Sequence, residues 1–175
     1  MLSVGLRKAA YLDFPLGDYK DRYERVRKLM EEADIDALFL TNRTNVEYVT
    51  GFSTISWRQH DKQFYVVITR NDIDEVVLIV DYVHEGNAEN TSWVEDVRLW
   101  GKKVQYVDLA IDTIGSLGLE KATIGMELGS NQRVWATPIE FDAIKNGLSE
   151  AKIVDASHIL NNMQTIKSKL EIERL

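Results

Sequence analysis

The sequence has no cysteine, and it is sparing with proline (2), glycine (10) and histidine (3). The lack of cysteine excludes a disulfide scaffold, a thiolate zinc site and a cysteine nucleophile, and it fits a reducing cytosol. Long apolar stretches are missing too: the longest, Val76 to Val80, falls far short of the roughly 20 residues needed to cross a bilayer. It reads as a buried strand. Arg7, Lys8 and Asp13 interrupt the amino-terminal region before the apolar core of a targeting signal can form, so a cytoplasmic protein is expected. Positive charge is in deficit as well. With 21 Lys and Arg against 28 Asp and Glu, a net charge of −7, the chain lacks the basic excess that drives counterion release from nucleic acid. Neither nucleic acid nor membrane is expected as a partner.

Motifs that would announce chemistry are equally scarce. No Ser stands in a G-x-S-x-G elbow and no G-x-x-x-x-G-K-[ST] phosphate loop occurs. A dinucleotide site needs glycines after the first strand, where the backbone approaches a pyrophosphate, but the residues there are Thr41-Asn42-Arg43-Thr44. A nucleotide-dependent enzyme is therefore a poor fit. His84-Glu85 opens like a zinc-binding H-E-x-x-H helix, yet Ala88 stands where the second ligand belongs. The pair Asp81-x-x-His84 could hold one metal weakly, although the commoner use of such a pair is an Asp capping a helix start. His158 falls in the first turn of the last helix and is read as exposed or packed. Gly115-Ser116-Leu117-Gly118 reads as a helix end followed by a turn.

What is present has the pattern of a folded α/β domain. A chain of 175 residues, 45% hydrophobic, suits one domain, or one domain and the start of another, and buries about two-thirds of its unfolded surface. From Asp18 to Ala33, Tyr19, Tyr23, Val26, Met30 and Ala33 recur at helical spacing. The opposite face (Lys20, Arg22, Glu24, Arg25, Arg27, Lys28, Glu31, Glu32) mixes both signs as a solvated surface does. Ala37 to Leu40 is a short unbroken apolar run, the mark of an inner strand. Asn45 to Phe52 reads as one or two helical turns stopped by Gly51. Phe64 to Thr69 and Glu75 to Val80 form an antiparallel hairpin around the turn 70–74. Thereafter strand 94–99, helix 103–117, strand 122–127, helix 131–146 and strand 152–154 alternate. The fold class expected is therefore α/β, a mixed sheet of five to six strands with helices on both faces. Asp155-Ala156-Ser157 then caps a helix that runs from Ile159 toward Leu175, supported by a Lys167–Glu171 pair and carrying Ile166, Leu170, Ile172 and Leu175 for burial. It has a start signal and no stop signal, so the sequence reads as cut inside it.

One loop stands out, Ser56-Trp57-Arg58-Gln59-His60-Asp61-Lys62. Trp57, Arg58 and His60 place an indole, a guanidinium and an imidazole close together between a short helix and a strand, a mix suited to gripping a carboxylate or a peptide end. The plainer alternative is that Trp57 fills a gap and Arg58 makes a surface pair.

Several segments, taken in order, carry a resemblance. Asp36-Ala37-Leu38-Phe39-Leu40, Asn45-x-x-Tyr48-x-Thr50-Gly51-Phe52, Ile124-Gly125-x-Glu127, Val154-Asp155-Ala156-Ser157 and Ile166-Lys167-Ser168-x-x-Glu171-Ile172 resemble the amino-terminal domain of the creatinase/prolidase/aminopeptidase P family. The resemblance spans Tyr19 to Leu175. Gln164 departs from it, since many members carry Arg there. It implies a two-domain, metal-dependent hydrolase of a Xaa-Pro peptide bond or a related C–N bond. Two divalent ions (Mn, Zn or Co) would be held by two Asp, one His and two Glu of a catalytic domain after Leu175. This chain would itself hold no metal and no catalytic residue. The domains implied are an extension over 1–18, the amino-terminal domain over 19–160 and, over 161–175, the start of the first catalytic-domain helix. The implied partners are a second copy of the chain, as a homodimer, and a small peptide or amide substrate. Trp57, Arg58 and His60 fall where members present substrate-contacting residues across the dimer. Asn45, Tyr48, Gly51, Glu127 and Asp155 read as structural. The rival reading is a stand-alone module of the same fold that binds a protein or peptide without catalysis.

Overall fold

The computed structural model describes residues 9–59 and 62–174. Its strands are β1 (Ala37–Leu40), β2 (Tyr65–Thr69), β3 (Val77–Asp81), β4 (Asp96–Trp100), β5 (Thr123–Met126) and β6 (Lys152–Asp155). The helices are α1 (Leu16–Glu32), α2 (Arg43–Thr50), α3 (Glu85–Thr91), α4 (Tyr106–Ser116), α5 (Pro138–Gly147), α6 (Ser157–Thr165) and α7 (Lys169–Glu173). The six strands form one sheet in the order β4-β3-β2-β1-β5-β6. Only β2 runs against its neighbours; β3–β4, β1–β5 and β5–β6 are parallel.

Every residue of β1, β2 and β3 is buried, because these strands have helices above and below them and can tolerate no polar face. Alternation along each strand divides the core in two. Leu38, Leu40, Val66, Ile68, Leu78 and Val80 pack with residues of α1, α2, α3 and α6, including Tyr19, Met30, Val46, Ala88 and Ile159. Ala37, Phe39, Val67, Val77, Ile79 and Ile124 pack on the other face with Ala110 and Ile114 of α4 and Ile144 of α5. This is the mixed α/β sheet with helices on both faces that the alternating pattern implies. The 64–80 hairpin also forms as an antiparallel pair, with Val66 opposite Leu78.

Gly125 is needed for a close approach. A Cβ there would lie 2.7 Å from Ala156 Cβ and 2.8 Å from Leu38 Cδ2, so its absence lets the start of α6 settle onto the sheet. At Gly51 the backbone has φ +74°, the left-handed turn that ends α2.

Three sequence expectations are corrected. The helix expected over 131–146 begins only at Pro138: the residue before a proline is kept out of helical geometry, so Thr137 becomes the cap, in a reciprocal box with Glu140. The segment before it stays irregular, and its side chains serve the candidate site. The last helix is two helices. After Thr165 the chain breaks and restarts at Ser168, whose hydroxyl accepts from the Glu171 amide while the Glu171 carboxylate accepts from the Ser168 amide. Glu171 is thereby committed to a cap rather than to Lys167, and Lys167 bonds the Gln164 carbonyl instead. Ile166 and Ile172, assigned to burial by their spacing, are exposed here, and Leu170 sits at the edge of exposure; Leu175 lies outside the described residues. The third correction is Arg22, placed on a solvated face by its charge but only 2% exposed. It sits three residues after Tyr19, on the same stripe, and the periodicity wins.

Candidate functional site

Because β2 alone is reversed, the carboxyl ends of β1, β3, β4, β5 and β6 share one edge with Phe64, at the start of β2. After β1 the chain passes to α2 on one face of the sheet, whereas after β5 it passes to α5 on the other. The neighbouring parallel strands β1 and β5 therefore form a topological switch point, the place where open α/β sheets leave a crevice for ligands.

Half of that crevice is filled by the protein itself. Glu127, 1% exposed at the end of β5, accepts from the Thr41 amide (3.0 Å) and hydroxyl (2.7 Å), the Asn42 amide (2.8 Å) and Asn45 Nδ2 (2.8 Å). Burial pushes its carboxyl above the usual range, while these donors, Asn45 and Thr41 foremost, pull it back. Every partner donates, so the carboxylate acts as an anion set against the start of α2. That is where a dinucleotide-binding domain holds its phosphate, and its occupation by Glu127 accounts for the missing glycines. The network continues through Asn45, which accepts from Gln164 Nε2 (2.6 Å) and donates to Gln132 (2.9 Å); Gln132 in turn donates to Asn161 (2.9 Å). An amide chain thus runs from α6 to the switch point. Gln164, the departure from the family pattern, is one of its links. Tyr48 donates to the Met163 carbonyl and Asp155 accepts from Ser157, so these residues have the capping and strand-end roles that their positions imply.

The other half of the crevice is a cavity of about 260 Å³ lined by Arg43, Trp57, Gln59, Lys62, Phe64 and Trp135 together with Thr41, Asn42 and Thr44. Trp57 sits in a single 3₁₀ turn, Ile55–Arg58, that Thr54 opens by accepting the Ser56 amide. Its indole packs edge-on to Phe64 at 4.8 Å and Phe52 at 5.5 Å, so it fills a gap and lines the cavity at once. The guanidinium of Arg43 lies 5.5 Å from the Trp57 ring centroid. Arg58 is exposed and is not part of the lining. His60 lies outside the described residues. Arg43 and Trp135 themselves carry no sequence signal of this role: Arg43 stands in the segment that lacks dinucleotide-binding glycines, and Trp135 falls within the helix expected over 131–146. Pro138, which forbids that helix, is the signal that would have exposed Trp135.

The other titratable candidates are structural. Asp81 caps the turn at Val83, as expected, and holds Lys62 at 2.9 Å. His84 is 4% exposed, edge-on to Phe64 at 5.0 Å, and Ala88 is wholly buried in the core, so no metal-binding helix forms there. His158 is exposed. Among the described residues no group of three His, Asp or Glu side chains is placed to hold a metal ion. Glu127, the most buried carboxylate of the site, faces N–H and O–H donors, which repel a cation. The donor set does not fit a metal.

These environments fix a pH response. Burial lowers the His84 pKa below its ordinary 6.5, with Lys62 adding to the effect and Asp81 opposing it. Asp155 and Glu171 are pushed up by desolvation, but bonds from Ser157 to the first, and from Ser168 and Arg22 to the second, leave both below the carboxylate range. The unfolded chain takes up a proton at His84 before the folded one does, so stability declines as pH falls below about 6.5. The depressed carboxylates contribute above about pH 4, and their contribution is lost as pH drops through their lower folded values. Urea midpoints measured from pH 8 to pH 3 should show both declines, and His84→Phe should remove only the first.

The site defines an α/β domain with a closed switch point and a small aromatic and cationic cavity beside it. The description "Creatinase/Prolidase N-terminal domain" matches residues 22–166, and the chain belongs to that family. An uncharacterized hydrolase/peptidase of Sinorhizobium fredii, y4tM, is 26% identical over 173 residues, covering 92% of this chain and 41% of that protein. An uncharacterized peptidase of Bacillus subtilis, YqhT, is 26% identical over 155 residues, covering 88% and 38%. The chain thus spans about two-fifths of the length of these relatives. Among solved structures, a Xaa-Pro dipeptidase from Bacillus anthracis superposes with a TM-score of 0.69 at 21% identity, covering 89% of this chain and 38% of that one. The N-terminal domain of the cytoplasmic peptidase PepQ from Mycobacterium tuberculosis gives 0.63 at 19%, covering 82% and 98%. Both likenesses are of fold. No described helix is long and apolar enough to cross a membrane.

Proposed function

We propose that the chain is the non-catalytic amino-terminal domain of a cytoplasmic, metal-dependent Xaa-Pro peptidase or related C–N hydrolase, and that it shapes the substrate pocket and contributes to a homodimer. The match of residues 22–166 to this domain, on relatives more than twice as long, carries the reading. In it residues 19–160 are the domain proper, and 161–175 lead into the first helix of the catalytic domain. Two divalent ions held by that catalytic domain would supply an activated water and polarise the scissile carbonyl. This chain's residues act by binding and positioning. The 3₁₀ turn at the carboxyl edge of the sheet presents Arg58 outward, and Arg58, with Trp57 and His60, meets the carboxyl side of the substrate in the neighbouring subunit.

The test uses the full-length protein beside the 175-residue chain. With manganese added, the full-length enzyme is expected to hydrolyse Xaa-Pro dipeptides and the 175-residue chain to hydrolyse none. Arg58→Ala in the full-length enzyme should raise KM about tenfold or more, the loss of one charge-assisted hydrogen bond. Unchanged KM and kcat would remove Arg58 from the site, and hydrolysis by the short chain would overturn the domain assignment.

A further inference from the structure

We propose that α7 and the groove beside it are the seat on which the catalytic part of the full-length protein docks, through an apolar segment that carries an acidic side chain. The inference rests on the peptidase reading and goes beyond it, in naming the surface where the two parts meet and the chemistry that covers it. The helices on either side of the 166–168 break differ in what they bury. Ile159, Leu160 and Met163 of α6 all lie in the core, whereas Ile166, Leu170 and Ile172, every large apolar side chain from 164 to 173, are 57%, 37% and 61% exposed. Single exposed apolar residues are ordinary on a soluble surface, but here three fall within seven consecutive positions. A five-residue helix takes its stability from packing, not from its own hydrogen bonds. On its inner side α7 has mainly polar anchors, Glu171 on Arg22 at 3.2 Å and Arg174 over the Phe14 ring at 4.3 Å. Its apolar side chains are left for another partner.

The groove decides what the partner carries. It has a volume of about 370 Å³, with Phe14 and Tyr48 on one side and Lys167, Glu171 and Arg174 on the other. The rings and the stems of the two long cations make an apolar wall. Its one carboxylate, Glu171, already accepts from Arg22 and from the Ser168 amide. Lys167 gives one of its three donors to the Gln164 carbonyl, and Arg174, stacked on Phe14, retains its planar fork. The charge left over is positive, so a partner with Asp or Glu among its apolar residues fits. Length identifies that partner. The chain matches an N-terminal domain and spans 41% and 38% of its relatives, in which a larger body of chain therefore follows the domain. A contact next to the connection closes the shortest loop and costs the least entropy, and α7 is the element nearest to it.

The chain has no cysteine, so an introduced thiol reports on its own position. Ile166→Cys and Ile172→Cys are made in the 175-residue chain and in the full-length protein. Lys121→Cys, between α4 and β5 where the lysine side chain is 82% exposed, is the control. Alkylation by iodoacetamide is timed at each position by peptide mass. All three thiols should react freely in the 175-residue chain. In the full-length protein those at 166 and 172 are expected to react at least about tenfold more slowly, with the control unchanged. Arg174→Glu added to full-length Ile172→Cys should speed its alkylation about threefold or more, by setting a like charge against the acidic residue of the docked segment. Equal rates at 166 and 172 in the two proteins would overturn the docking, and so would protection in the 175-residue chain that grows with its concentration, which would make a second copy the occupant. No effect of Arg174→Glu would overturn the acidic partner. Hydrolysis of Xaa-Pro dipeptides without protection sinks the docking alone, whereas protection without hydrolysis supports the docking and removes the peptidase reading.

Discussion

Glu127→Ala is expected to be the most damaging single substitution at the switch point. It strands the Thr41 amide and hydroxyl and the Asn42 amide and takes from Asn45 Nδ2 one of its two acceptors, in a place that is 1% exposed at Glu127 and wholly buried at Asn45. An unmet buried donor costs about 1–3 kcal/mol, and water entering the vacated space recovers part of that, so the expected loss is about 3–5 kcal/mol. In a chain of this size that lowers the melting temperature by about 6–20 °C, at about 2–4 °C for each kcal/mol. Glu127→Gln keeps one acceptor and turns an amide group toward the remaining donors, so a smaller loss of about 1–3 kcal/mol is expected. Denaturant titrations of both variants check the order. A Gln variant as stable as the parent would show that the site does not need the anion, and an Ala variant losing under 1 kcal/mol would show that the network is not what ties β1, α2 and β5 together.

Arg22 sets the second large expectation. Its guanidinium donates to the Tyr48 carbonyl at 2.7 Å and to Glu171 at 3.2 Å, and lies 4.1–5.0 Å from the ring centroids of Phe14, Tyr19 and Tyr48. The two partners' side chains are 3% and 10% exposed, so this pair is far from the solvent-screened kind that contributes little. Arg22 joins α1 to α2 and α7 in one contact. Arg22→Ala is expected to cost about 3 kcal/mol, since it removes the partner of a largely buried carboxylate and the stem packed among the rings. The loss should fall first on α7. Hydrogen exchange should speed up at the amides of 169–173 while those of β1 to β3 remain protected, because α7 has few other buried contacts. Arg22→Met retains the stem and should recover part of the stability without restoring protection of α7. Equal stability of parent and Arg22→Ala would place the pair among the surface pairs of negligible worth.

How far the chain could be read in advance depended on whether one element or several decided the outcome. β1 came out at its expected limits, and Gly51 stopped α2 as a glycine in a left-handed turn does, because both follow from local residues. The helix expected over 131–146 starts only at Pro138, because the backbone sterics of the residue before a proline override apolar spacing. Glu171 had an obvious partner four residues before it, Lys167, and a better one 149 residues away, Arg22, which spacing along one helix cannot reveal. Trp57 reads from the sequence as one of a loop trio with Arg58 and His60, but the cavity it lines draws Arg43, Lys62 and Trp135 from three separate stretches of chain.

By itself, then, the sequence determined the α/β class, the buried central strands, the hairpin and the family, since alternation, apolar run length and short motifs are properties of consecutive residues. Only the tertiary structure decided that Arg22 is buried, that Glu127 closes the dinucleotide position, and that the cations and indoles share one cavity. Each of those depends on a charge meeting partners far along the chain, and the stability of a buried charge is set by those partners and not by the residue that carries it.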